Sequence, residues 1–154
     1  KLKTGTVLNF AGAKQIAHEE LLELDVEVLY PAALENAIHS KNANKIKAKI
    51  VCELANGPTT PEADLILFKN GVHVIPDILG SAGGVVVSYF EMVQDKSLYF
   101  WEEEEVHKRL DRKMTLAYHR VKEAIKEKKI RPRLAAMLVG VARVAEACKL
   151  RGWV

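Results

Sequence analysis

No stretch of this sequence approaches the ~18 consecutive apolar residues that a membrane-spanning helix needs. The longest candidate, residues 135–142, is short and flanked by Arg133 and Arg143, so no membrane partner is expected. No secretory signal pattern is visible. The chain opens on Lys1 rather than methionine, so it is expected to be a piece of something longer. Cysteine is scarce: Cys52 and Cys148 are far apart and each sits in an apolar run. That pattern predicts buried free thiols in a reducing compartment, and a cytoplasmic location is expected. The five histidines do not cluster at ligand spacing, so no metal site is expected. Charge of one sign is also lacking. Basic residues number 23 and acidic residues 20, giving +3, and the signs are mixed along the chain. Such a balance gives no argument for nucleic acid. The acidic run 102–105 and the basic run 126–133 read as a helix whose ends suit its macrodipole. No G-x-S-x-G nucleophile motif appears, and the nine glycines nowhere fit G-x-G-x-x-G. No catalytic residue is therefore assigned within this chain.

What is present is enough for one ordinary domain: 154 residues, 49% apolar and 28% charged. In the first half, short apolar runs alternate with short helical patterns. Residues 26–30 (VEVLY) read as a strand stopped by Pro31, and 50–54 (IVCEL) as a second strand ending at Asn56-Gly57-Pro58. Residues 72–75 (VHVI) read as a third, closed by Pro76. Residues 42–47 suggest a short polar helix. Thr59 or Thr60 caps a further helix, with Glu62 at capping-box spacing from Thr59, and Asn70-Gly71 ends it. Apolar strands alternating with helices predict a parallel sheet covered on both faces. The second half is helical over 81–93, 102–128 and 133–150. Val106, Leu110, Met114, Ala117, Val121 and Ile125 predict one buried stripe; Leu134, Leu138, Val141, Ala145 and Cys148 predict another. The alanines and Gly140 of the last helix predict close packing.

In open parallel sheets, ligands bind beyond the carboxyl ends of the strands. Three segments fall there: Pro31-Ala32-Ala33, Ala55 to Pro58, and Pro76-Asp77. Small residues let a flat ligand approach, and Asn56 offers a donor and an acceptor. Asn56-Gly57-Pro58 also reads as a plain turn. The glycine-rich run 80–88 starts a helix on which Ser81, Val85 and Ser88 share a face, at offsets of four and three. That face suits a pocket with a polar end; it equally suits a helix packed tightly through its glycines.

Four blocks occur in order: 29–35 (LYPAALE), 55–64 (ANGPTTPEAD), 76–79 (PDIL) with 82–91 (AGGVVVSYFE), and 145–154 (AEACKLRGWV). Together they resemble the glutamate dehydrogenase family over essentially the whole chain. Related leucine and phenylalanine dehydrogenases share the Ala-Gly-Gly block but not the Asn-Gly-Pro-Thr-Thr-Pro run. The resemblance implies an α/β fold: the latter half of a Rossmann-like nucleotide domain, a partial parallel sheet over residues 1–77. Helices over 78–154 would return to a substrate domain outside these residues. It implies an oxidoreductase of amino-acid metabolism, converting L-glutamate to 2-oxoglutarate and ammonia with hydride passed to NAD or NADP. By the same resemblance, Ala32, Ala33, Asn56 and Ser81 border the cofactor, with Asn56 beside the nicotinamide ribose. Val85 and Ser88 line the glutamate pocket, Ser88 bonding the γ-carboxylate. Position 81 is often asparagine in the family, and an acidic residue often stands where Arg131 precedes Pro132-Arg133; this chain departs at both. The family's lysines for the α-carboxylate and for activating water, its glycine-rich loop and its NAD/NADP-selecting position would all precede Lys1. The family forms hexamers, so a homo-oligomer is expected, while the 154 residues alone are expected to be inactive. Two other readings fit the residues: a non-catalytic nucleotide-binding or assembly module, and a dehydrogenase of another amino acid. A hydroxyl at Ser88 has no use against an apolar substrate and speaks against the latter.

Overall fold

Three β-branched segments make one parallel sheet. Val28–Leu29 (β1), Ile50–Cys52 (β2) and His73–Ile75 (β3) lie in the order β1-β2-β3, with Val28 opposite Ile50 and Ile50 opposite His73. The structure is a computed structural model and describes residues 5, 6, 8 and 10–153; Val154 of the C-terminal block lies outside them. Pro31 and Pro76, which have no N–H with which to continue a ladder, follow β1 and β3 closely. Pairing nevertheless runs past β2. Glu53 N donates to Ile75 O at 3.0 Å, and Leu54 N and Ala55 N both donate to Pro31 O at 3.1 and 2.9 Å.

A short helix, His18–Leu22 (α1), precedes β1, and the crossover from β1 to β2 holds only a single 3₁₀ turn at Ala43–Lys45. The expected helix over 42–47 is confined to that turn because Asn42 spends its side chain locally. Its Oδ1 accepts from His39 N and its Nδ2 donates to Ala37 O. Between β2 and β3 lies Pro61–Lys69 (α2), with Pro61 in its first turn. Thr60 is its cap, accepting from Ala63 N at 3.3 Å. The capping-box spacing from Thr59 is not used. Thr59 stands one residue outside the helix, and its buried hydroxyl has no partner among the described residues. Gly71, at φ +76°, reverses the chain after Asn70.

Both faces of the sheet are covered. Val51 and Val74 pack with Leu22, Ile38, Ala63 and Leu67 on one face. On the other, Ile75 meets Leu79, Val121, Ala135 and Ala136 from the helical half. That half consists of Asp77–Gly80 (α3), Ala82–Ser97 (α4), Glu103–Lys128 (α5) and Pro132–Leu150 (α6). The short α3 was not anticipated from the sequence pattern, being a single turn begun by Pro76-Asp77. In α5 the expected stripe holds: all six of its residues are buried or half-buried. In α6 it does not. Leu134, Leu138 and Val141 are 50, 43 and 61% exposed, while Ala135 and Ala136 are buried. The small residues win because they let α6 approach α5 and the sheet closely, which turns the larger aliphatic row away. Both cysteines are free and half-buried rather than fully buried. No helix among the described residues is long and apolar enough to cross a membrane.

Candidate functional site at the carboxyl ends of the strands

The strand ends bring the candidate segments together through the backbone. Because Pro31 O takes the N–H groups of Leu54 and Ala55, the exposed Ala32 and Ala33 lie beside the start of the Asn56 turn. That turn is held from two further sides. Asn36 N donates to Gly57 O at 2.9 Å, and Gly57 N donates to the Asp77 Oδ2 at 2.8 Å. Gly57 needs its lack of a Cβ here, at φ +55°. The Asn56 side chain is exposed and makes no hydrogen bond among the described residues. An asparagine that stabilises a turn normally bonds its own backbone; this one leaves its amide uncommitted.

Asp77 also links the turn to the glycine-rich run. Ser81 Oγ donates to Asp77 O at 2.7 Å, so the Ser81 hydroxyl points its proton back into α3. Gly80 lies directly against the end of β2: a Cβ there would sit 2.4 Å from Glu53 O. Ala32, Ala33, Asn56 and Ser81 thus share one edge of the sheet. Val85 and Ser88 continue along α4 away from it. Val85 is 75% exposed, and Ser88 is exposed with no hydrogen-bond partner among the described residues. No described contact joins these two to the strand ends. Among the described residues, a cleft of about 270 Å³ elsewhere is lined by Phe90, Arg109, Arg112, Lys113 and Leu116. Another, of about 170 Å³, lies between α3, α5 and α6.

Beneath the edge is a charge cluster that the sequence reading did not assemble. Arg133 reaches three carboxylates: Nη2 to Glu53 Oε1 at 2.5 Å, Nε to Asp64 Oδ1 at 3.1 Å and Nη1 to Asp77 Oδ1 at 3.2 Å. Arg131 Nη1 takes Asp64 Oδ2 at 2.6 Å. The second oxygen of Glu53 accepts from Asp77 N at 2.8 Å. Glu53 is fully buried and Asp64 nearly so, and buried carboxylates require such partners. Burial by itself would lower the Arg133 pKa. The hydrogen bond and charge of Glu53, followed by those of Asp64, outweigh it and leave the guanidinium more firmly protonated than usual. The neighbouring Cys52 thiol is pushed up, first by burial and then by the Glu53 charge, so it stays neutral. The one sequence signal for this cluster is a glutamate inside an otherwise apolar strand end. Among the described residues no group of His, Cys, Asp or Glu is arranged to hold a metal.

Comparison with known proteins follows the same outline. A family model described as Glutamate/Leucine/Phenylalanine/Valine dehydrogenase matches residues 1–152. The NAD-specific glutamate dehydrogenase of Staphylococcus aureus (strain COL) is 50% identical over 149 residues, 97% of this chain and 36% of that protein. The chain therefore spans about a third of the length of the curated relatives it matches. A hetero-hexameric glutamate dehydrogenase from Thermus thermophilus, in a Leu-bound form, superposes with TM-score 0.88 at 33% identity. It is matched over 97% of this chain and 35% of its own. Glutamate dehydrogenase from Peptoniphilus asaccharolyticus gives TM-score 0.77 at 44% identity, over 81% of this chain and 32% of its own.

Proposed function

Because the chain belongs to the glutamate/leucine/phenylalanine/valine dehydrogenase family, we propose that it is the C-terminal portion of a glutamate dehydrogenase. The reaction is L-glutamate, water and oxidised NAD(P) to 2-oxoglutarate, ammonium, reduced NAD(P) and a proton. Residues 1–77 are the latter half of the dinucleotide-binding domain, and 78–154 are the helices that return to the substrate domain. The arginine cluster crosses that division, since Glu53 and Asp64 lie on one side and Arg133 on the other.

The observation that carries this reading is the uncommitted amide of Asn56 on a turn fixed from both flanks. A free donor and acceptor on rigid backbone suit a ribose hydroxyl or a carboxamide. Ala32 and Ala33 are small enough for a flat ring to approach, and Ser81 borders the same edge. The cofactor supplies the hydride acceptor; the residues of this chain bind and orient it. Val85 and Ser88 hold the glutamate side chain, with the Ser88 hydroxyl donating to its γ-carboxylate. The 50% identical relative bears an NAD-specific name, which supports NAD as the coenzyme. The protein works in the cytoplasm as a homo-hexamer, and the 154 residues alone are inactive because half of a cleft cannot orient two reactants.

The test is the complete protein carrying this chain, assayed for amino-acid-dependent reduction of NAD and NADP. Glutamate is expected to be the preferred substrate. A clear preference for leucine or phenylalanine sinks the substrate assignment, and turnover by the isolated 154 residues sinks the assignment of inactivity.

A further inference from the structure

We propose that Arg133 is a positioning residue for the cofactor-side turn, acting on Asn56 through Asp77 and Gly57. The inference rests on the reading of Asn56 as a cofactor contact. Its physical basis is the division of labour on the Asp77 carboxylate. Oδ1 accepts from Arg133 Nη1 at 3.2 Å and from Ile78 N at 2.8 Å, while Oδ2 accepts from Gly57 N at 2.8 Å. A carboxylate held at one oxygen cannot swing, so the other presents a fixed acceptor to Gly57. Glu53 braces the same unit from below, one oxygen on Arg133 and the other on Asp77 N. Arg133 thus sets the Asp77 side chain directly and its backbone through Glu53. The planar fork of a guanidinium spreads its donors over three nitrogens, and Arg133 uses Nε, Nη1 and Nη2 for one carboxylate each; an ammonium has its three donors on a single nitrogen and cannot span the same positions. Gly57, in the left-handed region at φ +55°, has little local preference to hold the turn if that acceptor is lost.

The experiment uses the complete enzyme with Arg133→Lys, Asp77→Asn, Asn56→Ala and the double variant Asn56→Ala/Arg133→Lys. NAD affinity is measured by direct titration, alongside the glutamate KM and thermal unfolding. Arg133→Lys is expected to weaken NAD binding about tenfold, the size of one well-made hydrogen bond, with the glutamate KM within about twofold. Asp77→Asn leaves one acceptor oxygen for the three donors of Arg133, Ile78 and Gly57 and is expected to act in the same direction, which covers the case where Arg133→Lys does not fold. The double variant is expected to bind NAD no worse than Asn56→Ala alone, because both changes remove the same contact. Thermal destabilisation with unchanged NAD affinity would make Arg133 purely structural and overturn the proposal. Multiplying effects in the double variant would also overturn it, since Arg133 would then act by another route. If Asn56→Ala itself leaves NAD affinity unchanged, the assignment of the cofactor site fails first and this inference fails with it.

Discussion

Arg133 and Glu53 stand 80 positions apart and meet at 2.5 Å, with Glu53 wholly out of solvent. Removing one partner of a buried pair strands the other charge, which costs roughly 3–5 kcal/mol. Glu53→Ala is expected to fall in that range. Glu53→Gln keeps the shape and one acceptor, so its loss is expected at about 1.5–3 kcal/mol, the worth of a hydrogen bond to a charged group. Denaturant unfolding of the complete protein measures both. A loss under about 1 kcal/mol for Glu53→Ala would mean that Asp64 and Asp77 satisfy Arg133 without it.

Two glycines of the same run are expected to respond in opposite directions. A Cβ at Gly80 would stand 2.4 Å from Glu53 O, a backbone atom that can yield only if β2 or α3 shifts. Gly80→Ala should therefore cost about 1–3 kcal/mol as overpacking. At Gly84 a Cβ meets nothing within 4 Å, and the residue lies inside α4. Gly84→Ala should stabilise by up to about 1 kcal/mol through helix propensity. Thermal unfolding of the two variants, compared with the parent, decides it; equal shifts would mean that α3 does not abut β2 as described.

The Cys52 thiol gives a pH dependence with a definite sign. Its folded pKa is raised above the ordinary 9.0 by burial and by Glu53. The folded protein therefore holds this proton more tightly than the unfolded chain does. The stability this contributes is intact below the unfolded pKa and is lost as pH climbs through it toward the folded value. Unfolding free energy measured from about pH 8 to pH 10 should fall more steeply in the parent than in Cys52→Ala. Parallel curves would show that the thiol is not desolvated in the folded state.

The strands, α2, α4 and α5 were legible because each rests on local signals. β-branched runs end at Pro31 and Pro76, Asn70-Gly71 ends α2, and a threonine precedes Pro61. The choice of Thr60 over Thr59 was not legible, since adjacent threonines offer the same chemistry and tertiary pairing decides between them. Thr59 is drawn into a parallel bridge with Ile38. In α6 a row of leucine and valine reads as a buried stripe by periodicity, yet alanine makes the contact. Periodicity finds an apolar face but cannot say which of two faces has a partner within the chain. Glu53, Asp64, Asp77 and Arg133 stayed hidden for a different reason. Charges scattered over 80 positions look like solvated residues until the fold converges them. Asn56 was visible as a candidate; what the structure adds is that its amide is free while its backbone is held.

Ser88 is expected to set side-chain specificity in the complete enzyme. Ser81, Val85 and Ser88 share one face of the helical run, and the Ser88 hydroxyl is exposed with no partner among the described residues. Gly84 leaves open space on the same turn, so a ligand can approach the helix closely. A glutamate side chain ends in a carboxylate that must keep hydrogen bonds when it leaves water. The free hydroxyl can donate one. Ser88→Val removes that donor and adds apolar bulk. A hydrogen bond to a charged group is worth about 1.5–3 kcal/mol, so kcat/KM for glutamate should fall roughly ten- to 150-fold. Norleucine, which has no carboxylate to satisfy, should lose far less or gain. The measurement is the ratio of kcat/KM for glutamate to that for norleucine in the parent and in Ser88→Val. An unchanged ratio would mean that Ser88 packs against another part of the protein and that the substrate pocket does not lie on α4.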